Sequence, residues 1–228
     1  MTLTILGFCP DTGQLGGAVT TSDLAVGARV LFAQARVAVV ATQHRTDPRL
    51  GPAVLAAVKD GSTVSEAVRS VTVATPHRSW RQLGAVDAAG NAAAYSGDRL
   101  WPVGAELAGE NCLALGNMLS NDRVAPAMVQ AFGSGPVELA ERLLTALEVG
   151  VGAGGETGEL RSAALLIVER ESFPLVDLRI DDFDSPVPRL RWLWAAYRPL
   201  ARQFVARAID PDHVPDPDHA QRSSSTTT

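Results

Sequence analysis

Residues 2–21 read TLTILGFCPDTGQLGGAVTT, and this stretch decides the fold of the chain. Two runs of apolar and β-branched residues, 3–8 and 15–21, flank the strong turn signal Pro-Asp-Thr-Gly at 10–13. Two such runs with a short turn between them predict a β-hairpin, so the chain opens with a pair of antiparallel strands.

The remainder of the chain continues with strands and with helices that follow one another in pairs. Further strands are predicted at 36–42, in a hairpin at 81–97, and at 111–119, 162–170 and 174–182. Helices are predicted at 50–61, 62–74, 122–132, 135–150 and 186–210, with Ser62 and Ser65–Glu66 as candidate caps for the second helix. The glycine-rich segment 151–159 lacks the Gly-Lys-Ser/Thr ending of a phosphate-binding loop, so we interpret it as a lid or connector.

This order of elements predicts an α+β fold. Consecutive helices disfavour a doubly wound parallel sheet, which places single helices between its strands. Nearly continuous apolar strands such as SAALLIV at 162–168 indicate sheets that are covered on both faces. A four-layer αββα sandwich of two mainly antiparallel sheets meets both conditions. We expect a single domain over residues 1–210 and a disordered tail over 211–228, which is rich in Pro, Asp, Ser and Thr.

Composition excludes several classes of partner. The 228 residues carry a net charge of −5 with no run of Lys or Arg, which argues against nucleic acid as the main partner. No apolar stretch approaches the roughly 20 residues of a membrane helix, and no signal-peptide pattern opens the chain. We therefore expect a cytoplasmic protein without a membrane partner.

Cysteine and histidine do not indicate a disulfide framework or a metal site. Cys9 and Cys112 are predicted to be buried thiols. His213 and His219 lie in the predicted tail, far from other ligand types. We expect neither a metal nor another cofactor.

Thr2 is either the plain start of a strand or a nucleophile that is exposed when Met1 is removed. A threonine at the first position carries both a hydroxyl and an α-amine. The amine has an ordinary pKa near 8, so part of it is neutral at pH 7 and can take the hydroxyl proton. An αββα fold with this kind of nucleophile is the design of the N-terminal-nucleophile (Ntn) hydrolases. Many chains begin Met-Thr, so the purely structural role stays open.

Several stretches of this chain resemble the DUF1028 family. MTLTI, LGGAV, LAVG, VAVVATQ and DPRLG occur in the family's order, followed by VDAAGNAAAYSG, GENCLALGNML, LAERLLTALE and SAALLIV. The resemblance covers residues 1–198 and implies an Ntn-hydrolase-like fold. Because most of these blocks are apolar strands or helices, it implies the reaction class only loosely.

The resemblance also carries individual positions over to this chain. Thr2 matches the family's N-terminal threonine, and Gln43, Ser96 and Asn117 match polar positions at strand ends. Thr21, Asp47 and Arg161 stand where the family commonly has Ser, Asn and Gln. These departures imply either an altered substrate or a site that no longer works as the family's does.

Each candidate residue has a structural alternative. Asn117 is an oxyanion donor or holds a turn, and Thr21 faces Thr2 or is an ordinary strand residue. His44 is a titrating helper or an exposed loop residue. Lys59 is the chain's lysine and is expected on a helix surface, so a Thr–Lys pair of the proteasome type is not expected. The candidate catalytic residues are Thr2, Asn117 and Thr21, and the candidate substrate-binding residues are Gln43, His44, Asp47, Ser96 and Arg161.

These observations lead to two hypotheses. In the first, the protein is an Ntn-type amidohydrolase that cleaves a small C–N amide bond. In the second, it is a catalytically silent relative that binds a small ligand or scaffolds an assembly. We also expect a homo-oligomer, with Trp192 and Trp194 of the last helix either at an interface or in the core.

Overall fold

A computed structural model describes residues 1–135 and 138–214. Ten strands are found in these residues: β1 (Thr2–Cys9), β2 (Gln14–Thr21), β3 (Leu31–Gln34), β4 (Ala38–His44), β5 (Arg81–Asp87), β6 (Ala92–Ser96), β7 (Ala105–Gly109), β8 (Cys112–Asn117), β9 (Ser162–Val168) and β10 (Val176–Ile180). The α-helices are α1 (Leu50–Lys59), α2 (Val64–Ala74), α3 (Val124–Gly133), α4 (Leu139–Gly152), α5 (Pro186–Tyr197) and α6 (Ala201–Ile209).

The strands form two antiparallel sheets, and the α+β sandwich prediction is confirmed. The first sheet has six strands in the order β10-β9-β2-β1-β8-β7, and the second has four in the order β3-β4-β5-β6. Helices α3, α4 and α5 cover the outer face of the first sheet, and α1 and α2 cover that of the second. The layers therefore follow the αββα order.

Strand alternation explains how β1 is buried on both faces. Side chains two residues apart share a face of a strand. Leu6 and Phe8 pack in the core between the two sheets, whereas Leu3 and Ile5 pack against the helices that cover the first sheet. Thr2 consequently lies on the same face as Leu6 and points toward the second sheet.

The structure has two strands that the sequence did not predict, and it divides one predicted helix into two. Strands β3 and β7 were not predicted. Both are edge strands; β3 is partly buried over most of its length, and the middle three residues of β7 are exposed. With only 4 and 5 residues, the two strands are too short to show a clear strand period. The single helix predicted at 186–210 is wrong, because α5 ends at Tyr197 and α6 begins at Ala201, on either side of Pro199. Proline has no amide N–H and does not fit a helix interior.

The cap of α2 also differs from the prediction. Thr63, not Ser62 or Ser65, is the N-cap, and its hydroxyl accepts from the Glu66 amide while the Glu66 carboxylate accepts from the Thr63 amide. This capping box satisfies two amides that the first helical turn leaves unpaired.

The remaining sequence predictions have mixed outcomes. Cys9 and Cys112 are buried free thiols, and burial raises the pKa of Cys112 to about 11. Trp194 is in the core and donates to Glu141 Oε1 (2.7 Å), whereas Trp192 is exposed. Pro211–His213 form a short 3₁₀ turn, and the rest of the predicted tail, 215–228, lies outside the described residues. Within the described part of the chain, no helix is both long enough and apolar enough to cross a bilayer.

Candidate active site

A row of polar side chains crosses one end of the first sheet. Thr2 pairs directly with Asn117 on β8, and the register Leu3↔Thr20 places Thr21 of β2 on the other side of Thr2. Thr21 in turn pairs with Ser162 on β9. All four lie on the strand faces that point toward the second sheet, and we call them the polar row.

A cleft of about 520 Å³ opens at this end of the sandwich. Thr2 and Thr21 lie on its floor, and Thr2 is only 5% exposed. Its walls are formed by the segment after β2, which contributes Asp23 and Arg29, and by the end of β4 with the residue that follows it, His44 and Arg45; β5 contributes Arg81. Thr2 is therefore a buried hydroxyl with access to a polar cavity.

The two threonine hydroxyls converge on one carbonyl. Thr2 Oγ1 donates to the Met1 carbonyl (2.5 Å), and Thr21 Oγ1 donates to the same oxygen. With Met1 in place, the Thr2 nitrogen belongs to an amide and is not basic. Removal of Met1 would convert that nitrogen into an amine next to the Thr2 hydroxyl.

His44 lines the cleft as a neutral imidazole. Its Nδ1 lies 2.8 Å from the Trp80 carbonyl, which can only accept, so the proton is on Nδ1. Its Nε2 is buried and has no partner among the described residues. Burial, the charged N-terminus and nearby Arg45 and Arg81 lower the pKa of His44 below its ordinary value, against a rise from the Trp80 hydrogen bond. Whether it titrates during a reaction stays a prediction.

A buried polar network lies behind the polar row, and we define it as Thr4, Gln43, Gln82, Asn117 and Ser96. Thr4 Oγ1 donates to Gln43 Oε1 (2.7 Å), and Gln43 Nε2 donates to Gln82 Oε1 (2.6 Å). The same Gln82 oxygen accepts from Asn117 Nδ2 (3.1 Å). The two hydrogens of Gln82 Nε2 are shared among Ser96 Oγ (3.1 Å) and two backbone carbonyls. The network joins the two sheets next to Thr2.

Asn117 is completely buried beside Thr2 and does not line the cleft. One of its amide hydrogens goes to Gln82, and its Oδ1 has no partner among the described residues. Gln43 is also completely buried, and Ser96 bridges Gln82 and Glu106. These three predicted residues support the site from behind, so the structure gives them no direct route to a bound molecule.

Asp47 holds two arginines at the edge of the cleft. Its carboxylate accepts from Arg49 Nε (2.9 Å) and Nη2 (2.8 Å) and lies 3.8 Å from Arg81 Nη2. The hydrogen bonds from Arg49, opposed by burial, lower the pKa of Asp47 to about 2. Asp47 thus positions Arg81, which itself lines the cleft.

Replacing Asp47 with Asn should destabilise the protein near neutral pH, by an amount that becomes small as the pH approaches 2. The pKa of Asp47 is lower in the folded protein than its ordinary value of 3.8, so its contribution is present above about pH 4. That contribution is lost as the pH falls through 2. Thermal unfolding of both proteins between pH 2 and 7 measures this, with the exposed Asp60→Asn as control. A stability difference between wild type and Asp47→Asn that stays constant with pH would contradict this prediction.

Arg161 lies outside the cleft. Its guanidinium pairs with Asp182 (2.7 and 3.1 Å) and lines a separate cavity. Sequence reasoning missed Gln82 and Arg81, which begin β5. A glutamine at the start of an otherwise apolar strand was the available signal for Gln82, and nothing in the sequence marked Arg81.

Comparison with known proteins identifies the family. The profile of DUF1028, described as a family of unknown function, matches residues 2–190. The chain belongs to the DUF1028 family. A solved DUF1028 protein, SPO2555 from Silicibacter pomeroyi, is 36% identical, with a TM-score of 0.81 over 86% of this chain and 88% of that one.

Other comparisons add little to the DUF1028 assignment. Anbu (ancestral beta-subunit) from Yersinia bercovieri is 12% identical, with a TM-score of 0.41 over 90% of this chain and 97% of that one, and we draw no conclusion from so slight a likeness. No curated protein matches the chain. Within residues 1–135 and 138–214, no group of three or more His, Cys, Asp and Glu side chains is placed to hold a metal ion.

Proposed function

We propose that this DUF1028 protein is an N-terminal-nucleophile amidohydrolase that cleaves a small C–N amide bond. The observation that carries the proposal is the position of Thr2, a nearly buried hydroxyl at the floor of a polar cleft and at the start of a central strand. Its neighbours in the polar row are hydroxyl and amide side chains, which are the helpers that such a nucleophile needs. A cytoplasmic location and a homo-oligomeric state are part of the same proposal.

The proposed mechanism uses groups on one residue. After Met1 is removed, the neutral α-amine of Thr2 takes the proton from Oγ1 as the oxygen attacks the substrate carbonyl carbon. The Thr21 hydroxyl, which lines the cleft beside Thr2, is the proposed oxyanion donor, and Asn117 supports Thr2 from the neighbouring strand. When the C–N bond breaks, the α-ammonium returns its proton to the leaving nitrogen. Water then attacks the ester carbonyl on Thr2 while the α-amine takes a proton from it. The C–O bond to Thr2 breaks, the carboxylic acid leaves, and the α-ammonium returns the proton to Oγ1.

The charge of the cleft supports a substrate that carries a carboxylate. Arg29, Arg45 and Arg81 line it, whereas Asp23 is the carboxylate on its wall and His44 is neutral. This excess of positive charge attracts anions and disfavours cationic substrates. An amide with a carboxylate near the scissile bond therefore fits the cleft better than a neutral or basic amide.

The alternative is a catalytically silent protein that binds such a molecule without cleaving it. The observation in its favour is the absence of a lysine near Thr2. Lys59, the lysine of this chain, lies in the last turn of α1 on the outer layer of the second sheet. A silent protein would keep the cleft and its ligand but would have no reactive threonine.

Mass spectrometry of the protein produced in its native form tests the proposal. We expect an intact mass that lacks Met1, and after treatment with a β-lactone we expect one adduct on the N-terminal peptide at Thr2. The lactone ring opens on the threonine oxygen, so the adduct adds the full mass of the probe. Retained Met1, or a fully processed protein that takes up no probe, would refute the hydrolase and leave the binding protein.

A further inference from the structure

The glycine-rich segment after α4 crosses the end of β1. The Ser120 amide donates to the Gly155 carbonyl (3.0 Å), the Thr157 amide donates to the Met118 carbonyl (3.0 Å), and Glu156 forms a β-bridge with Leu119. Because Thr2 pairs with Asn117, the residues that follow Asn117 run beside the N-terminus. The segment 155–157 is paired with those residues and therefore lies next to Met1.

Contacts with Met1 confirm this placement. Thr157 Oγ1 lies 3.5 Å from Met1 Sδ. A Cβ atom added to Gly158 would lie 2.8 Å from Met1 Cε and 3.1 Å from Ser22 Cβ. The segment therefore packs against the N-terminal residue on one side and against the residue after β2 on the other.

Glu156 is a buried carboxylate without a partner in this segment. It is only 7% exposed, and neither oxygen has a hydrogen-bond partner among the described residues. Burial, together with the charge of Asp23, raises the pKa of Glu156 to about 7. The positive N-terminus opposes this rise, as does nearby Ser22, although Ser22 completes no hydrogen bond to either oxygen. An unpaired buried acid is costly, so its presence calls for a donor.

We propose that Glu156 is the positioning residue that binds the α-amino group of Thr2 once Met1 has been removed. This inference rests on the proposed function. The free α-amine is a positively charged N–H donor, and the buried Glu156 carboxylate has no hydrogen-bond partner among the described residues. Asn117 Oδ1 is also buried and has no hydrogen-bond partner among the described residues. Asn117 pairs with Thr2 on the neighbouring strand, so its Oδ1 is the second proposed acceptor for the same amine.

Contact with Glu156 changes the pKa of the Thr2 α-amine. A carboxylate close to an ammonium group favours the charged form, so Glu156 raises the pKa of the Thr2 α-amine. The pair then holds a proton between the two groups, and Glu156 sets the pH above which the amine is free to act as a base. The other charged groups of this region are Asp23, Arg29, Arg45 and Arg81, together with the neutral His44.

The pKa of the Thr2 α-amine in the Glu156→Gln variant tests the contact. Met1 is removed in the cell or with an aminopeptidase, and the protein reacts briefly with acetic anhydride across a pH series. The acetylated fraction of the N-terminal peptide, read by mass spectrometry, gives the pKa of the amine. We expect that pKa to fall by about one unit or more in Glu156→Gln. The exposed Glu159→Gln in the same segment is the matched control and should leave it unchanged.

An unchanged amine pKa in folded Glu156→Gln would overturn the inference. If that variant melts early, Glu156→Asp serves instead, because it retains the charge and should keep the amine pKa above that of Glu156→Ala. The pH profile of β-lactone labelling separates the two proposals. Labelling of Thr2 with no change of amine pKa refutes the role of Glu156 alone. A change of amine pKa in a protein that takes up no probe refutes the hydrolase alone.

Discussion

Thr2→Ala is expected to abolish β-lactone labelling and amide hydrolysis, a loss of at least about a thousandfold. The substitution removes the oxygen that forms the bond to the substrate while retaining a free α-amine. It should have little effect on folding, because among the described residues the Thr2 hydroxyl hydrogen-bonds only to the neighbouring Met1 carbonyl. The backbone pairing of β1 with β2 and β8 is unaffected. The rate of probe uptake, measured by mass spectrometry, checks the expectation, and circular dichroism checks the fold.

Two control variants make the result specific to the Thr2 oxygen. Thr2→Ser retains a hydroxyl and should still be labelled. Thr46→Ala removes another hydroxyl that lines the cleft and should leave labelling unchanged. Alanine and serine are both small, so Met1 should be removed from each Thr2 variant, and the intact mass verifies this. Equal labelling of Thr2→Ala and wild type would show that a different residue is the nucleophile.

Gln82→Met is expected to lower the free energy of unfolding by about 3–5 kcal/mol. The two side chains have similar volumes, so the substitution removes hydrogen bonds without opening a large cavity. Gln82 accepts from Gln43 and Asn117 and donates to Ser96 and to two carbonyls, all between 2.6 and 3.1 Å. Several of these groups are completely buried, and each one left unpaired costs about 1–3 kcal/mol. Urea-induced unfolding measures the change.

Gln34→Met is the matched control for this experiment. Gln34 lies on β3 of the same sheet, is only partly buried, and its side chain makes no hydrogen bond with the described residues, so the change should be within about 0.5 kcal/mol. A loss below about 1 kcal/mol in Gln82→Met would mean that water or a rearranged neighbour replaces the network. Because Gln82 holds Asn117, labelling of Thr2 should also slow in this variant.

Much of the fold could be predicted from local patterns. The opening hairpin, the helix pairs and the doubly covered strands follow from the spacing of apolar residues. That spacing reports which face of an element is buried. Strands β3 and β7 could not be predicted in this way, because they have only 4 and 5 residues. A stretch this short does not show whether its apolar residues repeat with the period of a strand or of a helix.

The sequence predicted cleft residues only at the ends of strands. Thr2, Thr21 and His44 do line the cleft. Arg161 occupies a comparable position in the sequence, but its side chain turns to Asp182. The orientation of Arg161 depends on an oppositely charged group twenty-one residues later in the chain. The spacing of residues along a strand does not indicate such a partner.

By itself, the sequence determined the αββα class, the DUF1028 resemblance and the candidacy of Thr2, because each depends on residue order and local periodicity. Only the tertiary structure decided that Gln82 links the sheets behind Thr2 and that Glu156 lies buried beside the N-terminus. The physical reason is that hydrogen bonds and burial join residues that are far apart in the chain. A sequence pattern specifies the face on which a side chain lies, whereas the packing of strands and loops specifies what lies opposite to it.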